Sequence, residues 1–91
     1  MTNDTVGNET ETISGEVRHF LTDNFPLSAG FAYSSSDSLI GVGAIDSTGV
    51  LELIEFLEER YEIRISDDEV LPENLDSIDA IVRFVTEKRA A

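Results

Sequence analysis

The stretch STGVLELIEFLEERY, residues 47–61, limits the fold more than any other part of the chain. It is built largely of strong helix formers, and its apolar residues Val50, Leu51, Leu53, Ile54, Phe56, Leu57 and Tyr61 recur at helical spacing. Two other segments carry faces that can pack against it. Ile13, Val17, Phe20 and Leu21 mark one side of a helix predicted over 12–24, which Phe25-Pro26 ends because proline disfavours a helical residue before it. Ile78, Ile81, Val82 and Val85 mark a closing helix over 77–88, with Asp76 as its N-cap and Lys88 and Arg89 where cations complement the helix dipole. The expected core joins Leu53, Ile54, Leu57 and Tyr61 to Ile13, Val17, Leu21, Ile78, Ile81 and Val85.

The connections are less regular. Residues 27–45, LSAGFAYSSSDSLIGVGAI, hold no sustained period and read as a long loop, pinned by Phe31, Tyr33, Leu39, Ile40 and Val42. After residue 61, Glu62-Ile63-Arg64-Ile65 is too short and isolated for a sheet, and Ser66 or Asp67 is suited to cap a short turn before Pro72. Residues 1–11 are polar, with Val6 the only apolar residue after Met1, and are predicted to form a disordered tail. The fold class is therefore all-α: a small bundle of three to four helices with a long loop between helices 1 and 2, forming one domain over 12–89.

Composition narrows the function. Nineteen acidic residues against six basic ones leave a net charge of -13 on 91 residues. Nucleic acid and anionic membrane surfaces would repel such a chain, so charged partners should be basic. The absence of cysteine removes disulfides, thiolate nucleophiles and cysteine metal sites, and leaves stability to packing. The opening residues MTNDTVGNETET lack the basic start and apolar run of a secretory signal, so the expected compartment is the cytoplasm. A monomer is expected.

Enzyme readings find little support. The one histidine, His19, has no evident serine or cysteine partner, and an esterase reading would depend on it alone. Asp67-Asp68-Glu69 followed by Val70-Leu71-Pro72 does not supply the ligand spacing of a calcium loop, and no metal site is expected.

The informative run is Gly43-Ala44-Ile45-Asp46-Ser47-Thr48-Gly49, which leads directly into the acidic helix. By itself it is a helix cap, with Asp46 or Ser47 accepting a free N–H of the first turn. A Gly-x-x-Asp-Ser signature opening a helix of the form Leu-Glu-Leu-Ile-x-x-Leu-Glu-Glu-x-Tyr, followed by Ile63-x-Ile65, acidic residues and a last helix introduced by Ser77-Ile78, resembles the acyl carrier protein family over residues 13–88.

The resemblance implies that Ser47 takes 4'-phosphopantetheine from coenzyme A through a phosphopantetheinyl transferase, with Asp46 helping to position the serine. Acyl or aminoacyl groups then ride on the arm as thioesters, loaded by a ligase and accepted by synthase or transferase enzymes of fatty-acid or secondary-metabolite biosynthesis. It also implies that the protein is not itself an enzyme. Thr48, Leu51, Glu52, Glu55, Glu58 and Glu59 fall on the face that the resemblance assigns to partner docking, and Glu62 extends its charge. A rival register, Asp37-Ser38-Leu39, matches the family's common triplet more literally, but Gly41 and Gly43 follow it and oppose a helix. Thr48 stands where the family usually has leucine or methionine, which points toward a specialised carrier. The alternative from another class is an acidic interaction or adaptor protein with a carrier-like fold and no prosthetic group.

Overall fold

The computed structural model describes residues 5–25 and 34–90, and all their regular structure is helical. Four α-helices follow in order: α1 (Thr5–Asn24), α2 (Ser47–Tyr61), α3 (Pro72–Leu75) and α4 (Ile78–Ala90), with a 3-10 turn at Asp67–Glu69 before α3. The all-α bundle expected from the periodicity is what forms, and the short fourth helix is α3.

Helix α1 starts well before the predicted residue 12. Residues 5–11 of the expected tail are helical, while residues 1–4 lie outside the described residues. Once the packed part of a helix exists, each added residue gains one hydrogen bond without repeating the cost of nucleation. Glu9 adds an ion pair to Arg89 of α4 at 3.3 Å.

The core lies where the four faces converge. Ile13, Val17 and Leu21 of α1, Leu53 and Leu57 of α2, and Ile78, Ile81 and Val85 of α4 are almost wholly shielded from solvent. A side chain of this kind contributes about 1.5–3 kcal/mol when fully buried. Tyr61 joins them, Ile54 packs at the margin, and Leu39, Ala44, Ile45, Ile65, Leu75 and Phe84 complete the cluster. Phe20 of α1 stacks on Phe56 of α2 with ring centroids 4.4 Å apart. Helix α4 contacts all three other helices.

The loop into α2 is tied down by a few residues. Leu39 is buried and Val42 packs against the core, as expected of pins, but Ile40 is 49% exposed. The reason is that Leu39 N–H bonds to the Asp76 carbonyl at 2.7 Å, which draws Leu39 inward and turns its neighbour out. Phe31 and Tyr33 lie outside the described residues. Gly43 takes a left-handed conformation, φ 81°, that closes the turn before Ala44 and suits glycine.

The cap of α4 also differs from expectation. Ser77, not Asp76, accepts the Ala80 N–H, at 3.0 Å. The Asp76 carboxylate is instead committed to the loop, where it accepts the Ile40 N–H at 3.0 Å and the Ser38 hydroxyl.

Candidate functional site

Helix α2 begins on an extended residue, Asp46, whose Oδ1 accepts the Gly49 N–H at 2.6 Å. This settles the cap on Asp46 and leaves the Ser47 side chain free of that task. Ser47 is exposed at the first helical position, and its hydroxyl has no hydrogen-bond partner among the described residues. Gly49 is buried against the ring of Phe25 and the side chain of Ile45, so closely that a methyl group there would lie 2.5 Å from one and 2.9 Å from the other. The glycine that weakens the first turn is what allows α2 to seat on the end of α1.

Beside Ser47 lies a cleft of about 250 Å³, lined by Ile40 of the loop, Val50 of α2, and Val70, Leu71 and Leu75 in and just before α3. Sequence reasoning missed this feature. Its signal is the apolar pair Val70-Leu71 stranded before Pro72, outside any periodic segment. Of the large apolar side chains exposed among the described residues, Ile40, Val70 and Leu71 line this cleft and Leu51 lies one helical turn beyond Ser47.

The rival serine is differently placed. Ser38 sits in the loop, donates to Asp76 and accepts the Gly41 N–H at 3.0 Å. Both of its hydrogen-bonding roles serve the loop.

At 100° per residue, Ser47, Thr48, Leu51, Glu52, Glu55, Glu58, Glu59 and Glu62 share the outer face of α2. Thr48, Leu51, Glu52, Glu55 and Glu59 are exposed and have no side-chain partner among the described residues. Glu58 is distinct: half-buried, it accepts the Ile65 N–H at 2.9 Å and fastens the chain that returns after α2. Glu62 caps the helix in a left-handed conformation, φ 56°.

The cations are largely spent inside the molecule. Arg60 pairs with Glu16 through its Nε at 3.2 Å and its terminal nitrogen, and the Tyr61 hydroxyl donates to the same carboxylate at 2.6 Å. These donors, Arg60 foremost, hold Glu16 below the usual carboxylate range. Burial, assisted by the Glu16 bond, pushes the Tyr61 phenol up. Lys88 donates to both oxygens of Glu69 at 3.0 Å, and Glu69 also accepts the Ser66 N–H at 3.0 Å. The Ser66 backbone bond and then Lys88 keep Glu69 below its ordinary value. His19 is 78% exposed and faces Asp23 at 3.0 Å on the same helix.

A small helical bundle with a free serine opening an acidic helix, and an apolar cleft at that serine, has the architecture of a carrier protein. Sequence comparison reaches the same class: the chain is similar to the D-alanyl carrier proteins of Streptococcus sanguinis (strain SK36), Streptococcus gordonii and Streptococcus thermophilus, with 38% identity over 55 residues in each case. The match covers 60% of this chain and 70% of each relative. The chain belongs to the acyl carrier protein family. No family profile matches it. No solved structure matches it either.

Proposed function

We propose that the protein is a specialised aminoacyl carrier in which Ser47 bears 4'-phosphopantetheine, and that the cargo is a small amino acid of the D-alanine class. The observation that carries the reading is the Ser47 hydroxyl, exposed at the start of a 15-residue helix and without a hydrogen-bond partner among the described residues. The backbone N–H groups of Ser47 and Thr48 have no partner among the described residues, so they and the positive end of the helix dipole can receive a phosphate there. The apolar cleft can take the first carbons of the arm. Residues and group therefore fit.

In the transfer, Ser47 Oγ forms the new bond to phosphorus, the bond to 3',5'-ADP of coenzyme A breaks, and the hydroxyl proton passes to a base of the transferase. When bound, the arm supplies the thiol that this cysteine-free chain lacks and holds the aminoacyl group as a thioester. The chain's own part is to present the serine, stabilise the phosphate and dock. Asp46 keeps the serine at the helix start by holding the cap, and its Oδ2 has no partner among the described residues. Thr48, Leu51, Glu52, Glu55 and Glu59 form the docking face for a transferase and a ligase with basic patches. The chemistry of loading belongs to those enzymes, and their usual compartment is the cytoplasm. The D-alanyl cargo is carried over from the names of the relatives, and the small Thr48 agrees with a dedicated ligase.

Intact mass spectrometry tests this. Incubation with coenzyme A, magnesium and a broad-specificity transferase should add one phosphopantetheine to wild type and to Ser38→Ala, and none to Ser47→Ala. No gain under conditions that modify a control carrier would refute the reading. Loading of the modified protein by an amino-acid ligase with D-alanine, but not by one with a long acyl chain, tests the cargo.

A further inference from the structure

The loop-side wall of the Ser47 cleft is a single exposed residue, Ile40, with no periodic element behind it. What holds it is Asp76, at the junction of α3 and α4. Oδ1 of Asp76 accepts the Ile40 N–H at 3.0 Å, Oδ2 accepts the Ser38 hydroxyl, and the Asp76 carbonyl accepts the Leu39 N–H at 2.7 Å. Three successive loop residues are thus bonded to one residue that itself follows α3. The clasp is braced from both ends: Gly41 N–H donates to Ser38 Oγ at 3.0 Å, and Asp79 N–H donates to the Ser35 carbonyl at 2.9 Å. Leu39, between the two side-chain bonds, is buried completely. Asp76 itself lines the cleft together with Ile40 and Ser47.

A clasp of this kind does more than a helix cap requires, since Ser77 already caps α4. It joins the loop residue that lines the cleft to the lining residues of the α3 segment, because Asp76 follows directly on α3, which continues from Val70 and Leu71. Hydrogen bonds to a carboxylate are stronger than those between neutral groups, and several of them together hold one loop position against its alternatives. A carboxylate offers about four acceptor sites. Two side-chain bonds are made here, so Asp76 can also accept an amide N–H from a group lying in the cleft.

We infer that Asp76 is a positioning residue for the modified serine: by clasping residues 38–40 it holds Ile40 in the lining of the cleft with Val70 and Leu71, so that an arm on Ser47 rests against them instead of extending freely into solvent. The inference rests on the reading of Ser47 as the attachment point. It also gives the second Asp-Ser pair a task, since Ser38 is half of the clasp and not a second attachment site.

The test compares amide NMR spectra of apo and phosphopantetheine-loaded protein for wild type, Asp76→Ala, Asp76→Asn and Ser38→Ala, below the unfolding range of every variant. Mass spectrometry confirms complete modification of Ser47 in each sample. In wild type, loading should shift the amides of Ile40, Val70 and Leu71. Those shifts should fall several-fold in Asp76→Ala, fall partly in Ser38→Ala, and recover substantially in Asp76→Asn, whose amide oxygen still accepts. A merely structural residue would lower the melting temperature and leave the loading shifts of the folded protein intact.

Full modification with the same shifts in Asp76→Ala as in wild type overturns the inference alone. Should Asp76→Ala fail to fold, Ser38→Ala decides, and an unchanged pattern there overturns it. Failure of wild type to accept the group at Ser47 overturns the carrier reading and the inference together.

Discussion

Replacing glycine by alanine at two helical positions should move stability in opposite directions. Gly15 lies in the middle of α1, exposed, and a methyl group added there meets no atom within 4 Å. Only the backbone effect remains, so Gly15→Ala should stabilise by about 0.5–1 kcal/mol. At Gly49 the same methyl would stand 2.5 and 2.7 Å from ring atoms of Phe25 and 2.9 Å from Ile45 Cγ1. Carbon atoms in ordinary contact sit about 3.5–4 Å apart, so the ring must retreat by roughly 1 Å. It cannot move alone: Phe25 packs edge-on to Phe20 at 6.0 Å, and Ile45 is buried. Overpacking costs about 1–3 kcal/mol, and the helical gain of alanine returns less than about 1 kcal/mol in a first turn. The net expectation is a loss of about 1–2 kcal/mol, or roughly 5–15 °C in melting temperature for a domain this small. Thermal and urea unfolding followed by far-UV circular dichroism would measure both variants. Stabilisation by Gly49→Ala equal to that of Gly15→Ala would refute the seating of α2 on Phe25.

Three further outcomes follow from the charges. Glu16 and Glu69 have folded-state values below the ordinary carboxylate range, so the stability they contribute is present above about pH 4.3 and is lost as pH falls through their lower folded values. Acid titration of unfolding should show this, and Glu16→Gln should flatten the slope below about pH 4.3. Reversing Glu52, Glu55 and Glu59 to lysine should slow modification by the transferase more at low salt than at high, because exposed charges are screened within about 10 Å at 0.1 M ionic strength. Equal slowing at both would reduce those glutamates to solubility. Glu58→Ala should instead destabilise by about 1–2 kcal/mol, since Ile65 N–H loses its acceptor; a variant with wild-type unfolding would show that the bond is dispensable.

The parts of the fold that were legible in sequence are those that depend on local period. Ile13, Val17, Leu21, Leu53, Leu57, Ile78, Ile81 and Val85 announce their burial because three- and four-residue spacing sets a helix face wherever the helix sits. Ile65 does not, because a bond from Glu58 seven residues earlier holds its backbone, and although Leu39 and Ile40 both read as pins of the loop, only the distant bond to Asp76 decides that Leu39 turns inward and Ile40 out. Asp76 and Ser77 are both good cap residues, and only the tertiary bonds assign one to the helix and the other to the loop. Glu58 is indistinguishable in sequence from Glu55 and Glu59, since what separates them is the return of the chain past one of the three. The serine and its helix could be read; the cleft beside them, assembled from three non-local segments, could not.

The outer face of α2 carries one more consequence. Thr48, Leu51, Glu52, Glu55 and Glu59 bond to nothing else among the described residues, and exposed substitutions away from packing and caps usually change stability by less than about 0.5 kcal/mol. On the proposed docking reading, folding and recognition are written in separate sets of side chains on the same helix. Gly49, Leu53, Leu57 and Tyr61 are fixed by the interior. The other set is free to drift, and a library confined to those five positions could be selected for a new ligase without rebuilding the bundle beneath it.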